Sequence, residues 1–217
     1  MDSLRRPPRQ VFWLVGCFLA LSALVVSGAE IAWDDAILRT IGGWRTPALT
    51  DVMLRCTFLG NGLIEIPMAF GVAWMLWRLG RPAYAKRYLL AGVIGEIFYL
   101  GLKGLFHRPR PSVIERLSDA GWYSYPSGHT MMGPVLWSFG FLLLASAITN
   151  RFVKALLTTG AIVIPLLLAT SRVYLGVHYP SDVLGALLIG SAWVVWWWPR
   201  SESDASSAST SSAPAIK

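Results

Sequence analysis

Six apolar runs, roughly 11–28, 58–77, 88–106, 131–148, 152–170 and 183–198, follow one another along the chain with little between them. A run of about 18 apolar residues is the length at which a helix crosses the hydrocarbon core of a bilayer. No water reaches that core, so each segment must satisfy its own backbone donors and acceptors, and a long continuous apolar run does so as a helix. The chain is therefore expected to be all-α, a polytopic membrane bundle of six transmembrane helices. Composition agrees, because 54% of the 217 residues are hydrophobic and 14% charged, less polar surface than a soluble domain of this size requires. The expected organisation is an N-terminal segment over 1–10, one six-span domain over 11–200, and a tail over 201–217. The tail is rich in serine and alanine and has almost no apolar mass to pack, so it is expected to be disordered. The first run follows Arg5, Arg6 and Arg9 and ends in Ser27-Gly28-Ala29, features of a secretory signal, but its length favours a retained helix.

Basic residues set the orientation of such a bundle. Arg5, Arg6 and Arg9, then Arg78, Arg81, Lys86 and Arg87, then Arg151 and Lys154, then Arg200 all fall on one side, which puts both termini in the cytoplasm. Trp196, Trp197 and Trp198 form an interfacial aromatic belt at that end. The net charge of +7 comes with no long basic run, so it is assigned to topology and anionic head groups, and no nucleic-acid partner is expected. Cys17 and Cys56 fit neither a disulfide framework nor a metal site. On the other side lie 29–57, 107–130 and 171–182. The first of these reads as a surface connector containing a short interfacial helix. The second carries His107, Arg108, Arg110 and Arg116 against the positive-inside bias, as a segment that binds an anion would.

The unusual polar residues gather in three short stretches on that face. "KGLFHRPRP" supplies Lys103, Arg108 and Arg110; "YPSGHT" supplies Ser127, Gly128 and His129; "TSRVYLGVHYPSD" supplies Arg172, His178 and Asp182. Guanidinium forks and a lysine suit phosphate oxygens, and a glycine opening a helix offers backbone N–H groups to an anion. Of two histidines, one can attack phosphorus and the other protonate the departing oxygen. Asp182 lies four residues after His178, on its face of a helix start, where a carboxylate fixes the imidazole tautomer. The set lacks the carboxylate cluster that magnesium chemistry would use, so no metal and no cofactor is expected.

Lys103 and Arg110-Pro111, then Pro126-Ser127-Gly128-His129, then Ser171-Arg172, His178 and Asp182, in that order and spacing, resemble the three-part signature of the type 2 phosphatidic acid phosphatase superfamily. The resemblance extends over about residues 30–198, to the family's integral membrane branch. It implies that His178 is the nucleophile of a phosphohistidine intermediate, that Asp182 orients it, and that His129 is the general acid. Lys103, Arg110, Arg172, Ser127 and the Gly128 N–H would bind phosphate, with Arg108 auxiliary because its spacing departs from the fixed arginine. The implied reaction is hydrolysis of a phosphomonoester or diphosphate of an outer-leaflet lipid such as phosphatidic acid, phosphatidylglycerol phosphate, undecaprenyl diphosphate or a lipid A phosphate. The partners expected are that lipid and the bilayer, with no protein partner, and the location is a bacterial inner membrane with the site facing the periplasm. Transfer of the phosphoryl group to a second lipid is one rival, and a non-enzymatic transporter or sensor another. Glu96 shares a face with Lys103 two turns away and stands as an auxiliary candidate, whereas Glu65 and His107 read as structural.

Overall fold

In the computed structural model, which describes residues 7–28 and 32–199, the chain is helical with no strand among those residues. Residues 1–6 of the N-terminal segment, and the 201–217 tail with its expected disorder, lie outside the described residues. The helices are α1 (Arg9–Val26), α2 (Ala32–Gly43), α3 (Pro47–Phe58), α4 (Gly62–Arg78), α5 (Pro82–Phe106), α6 (Gly128–Met132), α7 (Phe139–Ala147), α8 (Arg151–Tyr174) and α9 (Pro180–Trp197). A π-helical stretch, Gly133–Ser138, joins α6 to α7, so that Gly128–Ala147 is one span. That span, α1, α5, α8 and α9 are each long and apolar enough to cross a membrane, which makes five, or six where α3 and α4, bent by 48° at their break, are taken as one span.

The departures from expectation have local causes. The second run does not start at 58, because Leu59-Gly60-Asn61 breaks the chain between α3 and α4. Asn61 then caps α4, its side-chain oxygen accepting the Leu63 N–H at 2.9 Å. The connector 29–57 is two helices instead of one, and it is not a bland surface strap, since Asp34, Leu38 and Thr57 are buried. Within the fourth span, Pro134 has no N–H to close a helical turn, and the backbone widens around it. The Leu136 carbonyl there accepts a hydrogen bond from the Tyr88 hydroxyl at 3.0 Å. The fifth span runs past residue 170 to Tyr174, which brings Arg172 into its last turn.

At one end of the bundle Leu76, Tyr88, Phe139 and Leu143 close a core between α4, α5, α7 and α9. At the other, Phe18 of α1 stacks on Tyr125, and the Ser22 and Tyr125 hydroxyls bond at 2.8 Å. Thus α1 is built into the bundle and braces the loop that precedes Ser127. The outer faces carry exposed Phe12, Trp13, Phe70, Trp74 and Phe152, apolar surface that a bilayer would cover.

Candidate active site

The last turns of α5 and α8 and the first turns of α6 and α9 meet at the Tyr125 end of the bundle. Between α8 and α9 the chain reverses within a few residues, and Gly176 adopts the left-handed φ of +71° that the turn needs. The turn places His178 in the same site as Arg172. Asp182 then sits in the first turn of α9, where its Oδ2 accepts the Tyr179 N–H at 2.8 Å. This capping bond fixes the carboxylate, and His178 Nδ1 approaches the same oxygen at 3.4 Å. Ser124 donates its hydroxyl to Oδ2 and lies 3.4 Å from Nδ1. The other ring nitrogen, Nε2, faces Arg110 Nη1 at 3.2 Å. Asp182 therefore holds the Nδ1–H tautomer, and the Nε2 lone pair points toward the cations.

Burial, opposed by Asp182, holds the His178 imidazole down to about 4, so it is neutral at pH 7. Arg110 is also lowered by burial, which outweighs the attraction of Asp182. Arg108 moves the other way: burial would lower it, but Asp182 and Asp34 together raise it.

Arg108 is not placed as a phosphate ligand. Its Nη1 donates to Asp182 Oδ1 and, at 2.6 Å, to Ser181 Oγ, while Nη2 donates to Asp34 Oδ2 at 2.8 Å. The guanidinium also lies 4.1 Å from the Tyr179 ring centroid. Asp34 in turn accepts the Ser181 N–H at 2.8 Å and the Ser181 hydroxyl. A part-buried cation thus joins two buried carboxylates, one on α2 and one on α9, and fixes the carboxylate beside His178.

The three expected phosphate ligands converge. Arg110 is splayed across backbone carbonyls, donating to Val177 and Gly121 at 2.6 Å and to Trp122 at 3.1 Å, which locks its fork beside His178. Arg172 is 4% exposed and donates from Nη1 to Thr57 Oγ1 at 2.8 Å, while its buried Nε has no partner among the described residues. Lys103 is equally buried and sits 5.2 Å from the Tyr99 ring centroid. Confining three cations in one site is costly, and a phosphate would offset that charge and accept from Arg172 Nε.

The PSGH turn departs in one detail. The Ser127 hydroxyl is fully buried and paired with Thr130 Oγ1 at 3.0 Å, and the Ser127 N–H reaches the Asp182 carbonyl at 3.3 Å. Its visible contribution is to tie the turn to α9. Gly128 is dictated by packing, since a Cβ there would lie 2.5 Å from the Tyr99 hydroxyl. His129 follows it at the start of α6, lining a cavity between α4 and α5 and within electrostatic reach of Arg172, His178, Lys103 and Arg110. Glu96 lies on the wall of that same cavity, within electrostatic reach of Lys103. His107 packs edge-on against Tyr123 at 4.4 Å, a loop contact as expected.

Asp34, Thr57, Tyr99, Ser124 and Ser181 were not legible as site residues. Each is a common residue type without motif spacing, and only the folded topology brings it to the cluster. Among the described residues no group of three His, Cys, Asp or Glu side chains could hold a metal ion.

The family model described as the PAP2 superfamily matches residues 84–203, a stretch containing all three motifs. The chain is 28% identical to phosphatidylglycerophosphatase B of Bacillus subtilis over 174 residues, 80% of this chain and 85% of that protein. It is 31% identical over 125 residues to undecaprenyl-diphosphatase BcrC of the same species, covering 52% of this chain and 58% of that one. Among solved structures, the transmembrane PAP2-type phosphatidylglycerolphosphate phosphatase from Bacillus subtilis superposes with a TM-score of 0.80 at 27% identity, over 87% of this chain and 94% of that one.

Proposed function

Since this chain belongs to the PAP2 superfamily and is a membrane-embedded phosphoric ester or diphosphate hydrolase, we propose that it cleaves the phosphate of an outer-leaflet lipid through a phosphohistidine on His178. The observation that carries this reading is the setting of the His178 ring. Its Nδ1 is anchored on Asp182 and Ser124, and its Nε2 is turned to a guanidinium that is itself clamped by backbone carbonyls.

In this reading the phosphate lodges among Lys103, Arg110 and Arg172, taking the free Arg172 Nε and drawing Arg110 off the Nε2 lone pair. Nε2 attacks phosphorus, the bond from phosphorus to the lipid oxygen breaks, and protonated His129 gives that oxygen its proton. The imidazolium on His178 is stabilised by Asp182, whose position Arg108 and Asp34 secure. Water then attacks the phosphohistidine, His129 takes up its proton, the N–P bond breaks, and phosphate leaves. The buried carboxylates beside the nucleophile, Asp34 and Asp182, are both engaged by Arg108, so the chain's own cations are the groups left to stabilise the charge.

Arg9, Arg78, Arg81, Lys86, Arg87, Arg151 and Lys154 fall at the helix ends opposite those that carry the site residues, which supports cytoplasmic termini and a site on the periplasmic face of an inner membrane. The unit assigned to this work is 11–200, with the 201–217 tail dispensable for the chemistry.

The test is phosphate release from labelled phosphatidic acid by the purified protein in detergent with chelator present, followed as a function of pH. Activity is expected to survive the chelator. With a neutral His178 as nucleophile, kcat/KM should hold as pH falls through 6.5 and decline only as it approaches about 4, where the imidazole takes a proton. An acid limb at the ordinary histidine position, or loss of activity to the chelator, would contradict the mechanism. Stability has the same sign. A histidine depressed in the folded state leaves the unfolded chain binding more protons, so stability is full above pH 6.5 and erodes between 6.5 and about 4.

A further inference from the structure

A cavity of about 530 Å³ lies between α4 and α5, within the size range of small-molecule sites. Gly60, Gly128 and His129 are among its lining residues, so it reaches the turn that carries His129. Ile66, Phe70 and Val93 on its rim are 60%, 62% and 61% exposed on the outer face of the bundle, so it opens sideways toward the bilayer. An apolar recess here needs no explanation beyond a lipid tail. Two of its wall residues do, because Glu65 and Glu96 both face into it.

Glu65 is 7% exposed, and its Oε1 is buried with no hydrogen-bond partner among the described residues. Glu96 is exposed on the same wall. No lysine or arginine is among the described residues that line the cavity. A buried carboxyl oxygen without a partner at hydrocarbon depth, as on Glu65, is costly, and it is kept where something polar meets it. A polyprenyl chain offers nothing polar below its phosphate. A diacylglycerol phosphate offers two ester carbonyls, six or seven bonds from phosphorus and so roughly 8 Å away in an extended chain. Glu96 lies seven residues below Lys103 on α5, about 10 Å along the helix, and Glu65 lies in the first turn of α4 below Gly60, which abuts His129. The carboxyls therefore stand at the height of the esters when the phosphate is seated. A carboxylic acid donates one hydrogen bond, and an ester carbonyl accepts it.

We infer that this cavity is the subsite for the ester segment and leading acyl chain of a diacylglycerol phosphate, and that Glu65 and Glu96 hydrogen-bond its ester groups. The inference rests on the proposed phosphatase reading and narrows its substrate class to acyl glycerolipids over polyprenyl diphosphates.

The experiment compares a diacyl phosphatidic acid with its dialkyl ether analogue, which has the same phosphate and chain length but lacks the carbonyls, with farnesyl diphosphate as a third substrate. The wild-type protein is expected to favour the diester over the diether by about 10-fold in kcat/KM, the size of one or two buried hydrogen bonds. In Glu65→Leu and Glu96→Leu the diester-to-diether ratio should fall toward one, and Glu65→Gln, which keeps a donor, should retain most of it. Equal wild-type rates on diester and diether would overturn the inference, as would a preference for farnesyl diphosphate or leucine variants with an unchanged ratio. The wild-type comparison decides the matter even if a variant does not fold. Absence of phosphate release from all three substrates would instead defeat the phosphatase reading.

Discussion

His178→Ala is expected to lower phosphate release by about 10⁴-fold or more, the loss seen when a covalent nucleophile acting in a concerted set is removed. The fold should survive the change better than the activity does. His178 lies in the turn between α8 and α9, and among the described residues its ring's polar contacts are to Ser124 and Asp182 at 3.4 Å and to Arg110 at 3.2 Å. The Asp182 carboxylate retains Arg108, Ser124 and the Tyr179 N–H without it. Thermal unfolding of the variant in detergent, set beside its rate on labelled phosphatidic acid, separates loss of the nucleophile from loss of structure. A variant with near-normal phosphate release would require a different nucleophile.

Asp182→Asn should cost about 10⁴-fold in kcat, because an amide that keeps the shape of the carboxylate can hold the wrong imidazole tautomer and cannot stabilise the imidazolium. KM should change far less, since both Asp182 oxygens are taken up by Arg108, Ser124, His178 and the Tyr179 N–H. Asp34→Asn reports on the same arrangement at one remove. It weakens the charged hydrogen bonds from Arg108 and Ser181, each worth about 1.5–3 kcal/mol, so kcat is expected to fall roughly 10- to 100-fold. Because Asp34 does not touch the phosphate site, a rise in KM with kcat unchanged would contradict its role as a positioning residue. Steady-state kinetics on one lipid phosphate resolves both variants.

The parts of this site that were legible in sequence are those whose chemistry is local. The His178–Asp182 pair is one helical turn, and Pro180 and Asp182 announce the helix start that aligns it. Arg172, Lys103 and Arg110 stand out because cations are rare at the ends of apolar runs. The number of spans could also be counted, because bilayer thickness sets their length. What escaped is long-range. Asp34 meets Ser181 across 147 residues and Thr57 meets Arg172 across 115, and neither has a spacing to betray it. The 29–57 segment looked like a surface strap because its apolar and charged positions alternate unevenly, yet α2 and α3 turn their few buried polar residues directly onto the site. Arg108 was ranked auxiliary by its spacing. Its place is set by two carboxylates, one of which was hidden in that same segment. The π-helical turn at Pro134 was invisible for a simpler reason, because a proline within an apolar run signals a break but not how the backbone absorbs it.

The phosphoenzyme is the most direct test of the mechanism. Lipid carrying labelled phosphate is mixed with the purified protein, the reaction is stopped in alkali within the first turnover, and the label is mapped by peptide. The account predicts an alkali-stable, acid-labile label on His178 that is absent from His178→Ala. A wild-type protein that releases phosphate while carrying no label, or a label on any other residue, would contradict it.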